Sequence, residues 1–259
     1  MRVTNRMLAT TVLHNLEANL ERLMKLQNQM SSGKLISRPS DNPMALSRVM
    51  SLRTALAEQE QYTRNMEDAQ GFLDASEGAL AKFTDTLQRV RELVIYGASG
   101  TLSDSDRQAL ADEVAQLIEE LRQTGNAAYA SQFMFGGQKT TTPPLERKNE
   151  TVVYNGNASP LVWEVAPGVT MEISIAGSEI FKVDPGFYTD PANKNESQLF
   201  KTLFDIKDAL EKGDTQSLGG DLLGQVDGYI DHFLQLRAVY GAKSNRLRLA
   251  LDRNFESKI

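Results

Sequence analysis

Apolar residues recur every three or four positions along three stretches of the chain, and between the second and third the period shortens to two. Near the N-terminus Leu13, Leu16, Leu20, Leu23 and Met30 keep a three-four spacing broken only by Gln27. Met66, Ala69, Leu73, Ser76, Leu80, Phe83, Leu87, Val90 and Val94 carry such a seam much further. Leu222, Val226, Tyr229, Phe233, Leu236, Tyr240 and Leu247 repeat it near the other end. A stripe at this period occupies one face of a helix and needs a partner helix to cover it.

Turn and cap residues punctuate the pattern. A first helix is expected over about residues 5–31, ending at Ser31-Ser32-Gly33, where glycine accepts the left-handed conformation of a helix stop. After a connector from Lys34 to Asp41, Asn42 suits an N-cap, and Pro43 suits the first helical position, where its missing N–H costs nothing. The pattern then stays helical to about Tyr96, with isolated Gly71 and Gly78 inside it. That is about 54 residues, a rod of roughly 80 Å at 1.5 Å per residue. Ser103 and Asp106 resemble a capping box. The helix they open places Leu110, Val114, Leu117, Leu121 and Ala128 on one face and is expected to fade near Phe133-Met134-Phe135-Gly136-Gly137.

From Gln138 the character changes. Thr140 to Pro144 reads as a loop, Thr151 to Tyr154 as a strand, and Asn155-Gly156 as a turn signal. Leu161, Trp163 and Val165 alternate, Pro167-Gly168 turns the chain, and Val169, Met171, Ile173 and Ile175 alternate again, as in an antiparallel hairpin with one buried face. Trp163, the lone tryptophan, is expected in the core. Leu199, Leu203, Ile206 and Leu210 mark a short helix, Gly213-Asp214 a break, and the last long helix follows. It stops at Ser257-Lys258-Ile259 with no stop signal, so a longer natural helix is expected.

The expected fold is mainly α: an elongated helical bundle or coiled-coil rod with an inserted small β-rich domain. Residues 1–41 form an N-terminal helix and connector, a candidate assembly segment. Residues 42–137 and 196–259 form the helical rod, and 138–195 the insert. The apolar face over 62–134 has a ready explanation in an intramolecular bundle. The first thirty residues have no obvious neighbour in the chain other than the C-terminal run, which leaves Leu13, Leu16, Leu20, Leu23 and Met30 as the candidate inter-subunit contacts.

Composition narrows the function classes. A net charge of −6 disfavours nucleic acid and anionic membrane surfaces as partners. No apolar run reaches the roughly 18–20 residues of a membrane span, and the N-terminus lacks the apolar core of a cleavable signal. Cysteine is absent, which removes disulfides, zinc thiolates and thiol catalysis. His14 and His232, the two histidines, stand far apart without metal-site spacing. Gly33-Lys34 lacks the first glycine, the Ser/Thr and the preceding strand of a phosphate-binding loop. Asp104 and Asp106 are explained by the helix dipole rather than by calcium. Asn149, Asn157 and Asn195 begin glycosylation triplets that matter only in a glycosylating host. No catalytic, cofactor or metal constellation is expected.

Longer phrases in the chain add a resemblance. Gln29-Met-Ser-Ser-Gly-Lys-Leu-Ile-Ser-Arg-Pro-Ser-Asp-Asn-Pro43 is similar to the join between the first two helices in the bacterial flagellin superfamily. Leu93 through Arg107, with Gly100-Thr-Leu-Ser-Asp-Ser-Asp-Arg107, resembles the loop before their third helix. Within the superfamily, three further segments resemble the hook–filament junction family: Phe135-Gly-Gly-Gln-Lys-Thr-Thr-Thr-Pro-Pro144, Tyr154-Asn-Gly-Asn157 and Val239-Tyr-Gly-Ala-Lys-Ser-Asn-Arg-Leu247. The resemblance implies an extracellular flagellar subunit, exported through the flagellar type III apparatus without a cleaved signal. It further implies terminal segments, part of residues 1–41 among them, that are disordered in the monomer and fold into inter-subunit coiled coils on assembly into a homo-oligomeric ring. The implied partners are the hook-side junction protein, flagellin and an export chaperone. A flagellin-like filament subunit and a cytoplasmic coiled-coil scaffold or chaperone remain as alternatives.

Overall fold

The computed structural model describes residues 5–33, 35, 42–148, 151–183 and 196–256. It is mainly helical, with three small antiparallel hairpins. The chain divides into two compact units, Met1–Glu60 and Gln61–Ile259.

In the first unit, α1 runs Asn5–Ser32 and is followed by Gly33 at φ +65°, the left-handed stop expected from sequence. α2 spans Pro43–Gly97 and begins in this unit. The Asn42 carboxamide oxygen accepts the Ala45 N–H at 3.1 Å, the N-cap bond that leads Pro43 into the helix. Apart from Leu35, the connector lies outside the described residues.

The second unit is built around an antiparallel pair, the rest of α2 and α7 (Leu223–Glu256). Every seam residue named on α2 from Met66 to Val94 is buried, and so are Leu222, just before α7, and every one on α7 from Val226 to Leu247. Polar clips join the two helices along their length. Thr63 bonds Asn254 (3.1 Å), Gln70 bonds Ser244 (2.7 Å), Arg237 donates to Glu77 (2.9 Å) and Arg91 to Asp227 (2.6 Å). α3 (Asp104–Gly125) packs on α5 (Gln198–Lys212). At the start of α3 the capping box is present: Asp106 N donates to Ser103 Oγ at 3.2 Å and Ser103 N to the Asp106 carboxylate at 3.3 Å. Gly213, at φ +68°, ends α5. A short α6 (Thr215–Ser217) and a five-residue π turn kinked at Gly220 then lead into α7.

Two expectations need correction. α3 does not fade near Phe133 but ends at Gly125, and Ala128 is strand rather than helix. The Asn126 side chain explains the stop. Its amide donates to Leu145 O and its oxygen accepts Leu145 N, both at 2.8 Å, so it pairs with an incoming strand as a backbone unit would. A hairpin follows at once, β1 (Ala128–Tyr129) against β2 (Gln132–Phe133), turning through Ala130 and Ser131 at φ 47° and 66°. The buried face of α3 accordingly centres on Ala111, Val114, Ile118 and Leu121, with Leu110 and Leu117 at its margin. Trp163 is half-buried against the core rather than inside it.

β3 (Leu145–Lys148) pairs with β4 (Thr151–Tyr154), and β5 (Val162–Ala166) with β6 (Val169–Glu172) across the expected turn, where Gly168 sits at φ +70°. Asn155-Gly156 follows β4 and joins no two strands. The hairpins pack on the helices through an aromatic cluster. Phe83 stacks on Phe233 with ring centres 5.0 Å apart and planes 7° off parallel, and Phe135 and Phe181 close around Phe83. A short α4 (Gly177–Ile180) lies beside this cluster, its Gly177 against the Phe135 carbonyl.

Candidate functional site

α1 carries the candidate contacts, and its local chemistry favours the helical form. Good helix formers dominate, Thr11 Oγ1 donates back to Met7 O at 2.8 Å, and the Gln29 side chain closes the C-terminal end by donating to Leu35 O at 2.7 Å. The seam itself is uncovered. Leu13, Leu16, Leu20, Leu23 and Met30 are all exposed, from 52% at Leu20 to 86% at Met30. Met7, Leu8, Val12, Met24 and Leu26 broaden the apolar surface. Among the described residues up to Glu60, none is buried.

An isolated helix is marginal in water, and a stripe of large apolar residues adds free energy only when something covers it. Each leucine buried against a neighbour contributes about 1.5–3 kcal/mol. The arrangement can therefore drive association, and it offers nothing for acid–base or nucleophilic chemistry.

α2 adds residues that the heptad reading passed over. Val49, Leu52 and Leu56 precede Met66 at the seam's own three-four spacing, and Leu52 and Leu56 are exposed. That spacing was the available signal; polar Gln59 and Thr63 interrupt it in the sequence.

The other singled-out residues remain dispersed. His14 lies 3.9 Å from Glu17 on exposed α1, and the His232 ring meets Glu179 O at 3.0 Å on α7. Asp106 is consumed by the capping box and Asp104 pairs with Arg107. Asn157 accepts the Gln138 N–H at 2.8 Å; Asn149 and Asn195 lie outside the described residues, as does Lys34. No group of three or more His, Asp or Glu converges as a metal site among the described residues. Nor is any described helix long and apolar enough to cross a membrane.

A long helical pair with small antiparallel hairpins packed on it defines a helical structural protein. The chain belongs to the flagellin family: the model of the bacterial flagellin N-terminal helical region matches residues 3–140. Flagellar hook-associated protein 3 of Salmonella typhimurium is 30% identical over 182 residues, which cover 70% of this chain and 57% of that protein. The flagellin of Bacillus subtilis is 28% identical over 259 residues, covering 97% of this chain and 81% of the flagellin. A solved structure described as a flagellar hook-associated protein from Vibrio parahaemolyticus superposes with a TM-score of 0.74 at 26% identity, over 85% of this chain and 96% of that one. The chain spans 57% and 64% of the lengths of the two hook-associated relatives it matches in Salmonella and Escherichia coli. These relatives are structural flagellar proteins, not enzymes.

Proposed function

We propose that the chain is a structural subunit of the bacterial flagellum, an adaptor that joins the hook-side junction to the flagellin filament as a ring of identical copies. The observation that carries this is the uncovered α1 seam in a chain whose relatives include hook-associated proteins. Leu13, Leu16, Leu20, Leu23 and Met30 are the inter-subunit contacts, residues 42–137 with 196–259 the rod, and 138–195 the insert. Its partners are the hook-side junction protein and flagellin, with an export chaperone beforehand. It resides outside the cell on the flagellum and is exported without a cleaved signal.

The covering helices of neighbouring subunits supply the free energy that α1 cannot supply alone. Leu16→Asp or Leu20→Asp is expected to leave the second unit folded by circular dichroism while abolishing incorporation into flagella. Normal incorporation of either variant would remove this role for α1. A second reading, a filament subunit, is favoured by the near full-length match to a flagellin. Immunogold labelling decides between them: signal at one point beside the hook supports the adaptor, and signal along the shaft supports the filament subunit.

A further inference from the structure

We propose that Met7, Met24, Met30, Met44 and Met50 form a peroxide-sensitive set, and that conversion of Met30, within the α1 seam, to its sulfoxide disables assembly. The inference rests on the assembly reading of α1 and adds a modification that controls it.

The methionines are partitioned by unit. All five described in Met1–Glu60 are exposed, from 58% at Met24 to 86% at Met30. The three in Gln61–Ile259, namely Met66, Met134 and Met171, are at most 6% exposed. The chain has no cysteine, so no thiol competes as a sulfur target. A peroxide reacts by transferring one oxygen atom to the thioether. The O–O bond breaks, the sulfur–oxygen bond forms, sulfur loses two electrons, and the peroxide leaves as water or alcohol.

The consequence differs between the units. Buried thioethers are shielded, so the α2–α7 core survives. Met30 lies in the α1 seam that the assembly reading buries, and a sulfoxide there adds a strong polar acceptor that must be dehydrated. Methionine also suits this surface, because a flexible, polarisable side chain packs against neighbours of different shape, as an adaptor between unlike proteins requires. The residue type that permits such contacts is the one a peroxide attacks.

Dilute hydrogen peroxide applied to the full chain, followed by peptide mass mapping over time, is expected to oxidise the five exposed methionines well before Met66, Met134 and Met171. Equal rates in the two sets would overturn the proposal. Attachment of the oxidised chain to hooks isolated from a strain lacking this subunit is expected to be lost, and to return after treatment with methionine sulfoxide reductases of both stereospecificities. For Met30→Leu, whatever its untreated level, attachment is expected not to fall on peroxide treatment; a fall would overturn the assignment to Met30. If the oxidised chain attaches normally while Leu16→Asp does not, the oxidation proposal fails and the assembly reading stands. Normal attachment of both removes the assembly reading itself.

Discussion

A methyl group at Gly177 would lie 2.0 Å from the Phe135 carbonyl oxygen and 2.7 Å from the Tyr154 ring. The carbonyl belongs to the backbone and the Tyr154 hydroxyl is itself held, donating to Phe135 O at 3.0 Å. Neither can step aside cheaply. Gly177→Ala is therefore expected to cost about 1–3 kcal/mol by overpacking, read as a lower denaturant midpoint for the second unit. A different residue-level effect sits on α3, where Arg122 donates to Glu119 at 2.9 and 2.5 Å. The hydrogen bonds from Arg122 hold the Glu119 carboxyl down at about 2, against an ordinary 4.5, although partial burial opposes them. A depressed carboxylate stabilises the fold fully above its unfolded pKa, and the contribution is lost as pH falls from about 4.5 toward about 2. The pair is a third exposed, so solvent screening keeps its worth below about 1 kcal/mol. Glu119→Gln is expected to lower stability slightly at pH 7 and to flatten the acid limb of a stability-versus-pH curve; an unchanged limb would show that the pair contributes nothing.

At the scale of elements, the pairing of α2 with α7 has two components, an apolar seam that supplies free energy and polar clips that fix register. Thr63, Gln70, Glu77 and Arg91 fall on one heptad frame of α2, and each reaches a set partner on α7. A slip of one turn would strand these groups and separate Phe83 from Phe233. Glu77→Arg is expected to destabilise, and Arg237→Glu in the same chain to recover part of the loss, with a coupling of about 0.2–1 kcal/mol for a pair this exposed. Phe233→Ala, which removes the ring stacked on Phe83, is expected to cost about 3–5 kcal/mol. The α2 and α7 helices were legible because heptad spacing marks a helical face, and here each face found its partner: every named seam residue from Met66 to Val94 and from Leu222 to Leu247 is buried. The end of α3 was not legible. Its stop depends on Asn126 meeting Leu145, nineteen residues away, and on Ala130 and Ser131 taking positive φ without a glycine to announce it. β3 was equally hidden, because Leu-Glu-Arg-Lys shows neither alternation nor β-branching and becomes a strand only opposite Thr151–Tyr154.

At the scale of the whole molecule, the buried side chains among the described residues all lie in one of the two units. Thr63 is the first buried residue in the chain among those described, and everything described before Glu60 is exposed or partly so. The sequence revealed the seam on α1, because periodicity is local. It also left that seam without an obvious neighbour in the expected fold, and in the structure the seam residues are exposed. The division has an energetic consequence. If no core side chain comes from Met1–Glu60, that segment contributes helix propensity and little else to the stability of the monomer. A chain beginning at Gln61 is expected to unfold cooperatively, with a denaturant midpoint close to that of the full chain. It is also expected to lose attachment to the flagellum entirely, since the apolar surface that neighbours would cover has been removed with α1. Denaturation followed by circular dichroism checks the first half and sedimentation with isolated flagella the second. A markedly lower midpoint would mean that α1 supports the fold within one molecule, and the seam would then be a structural face rather than a surface kept open for neighbours.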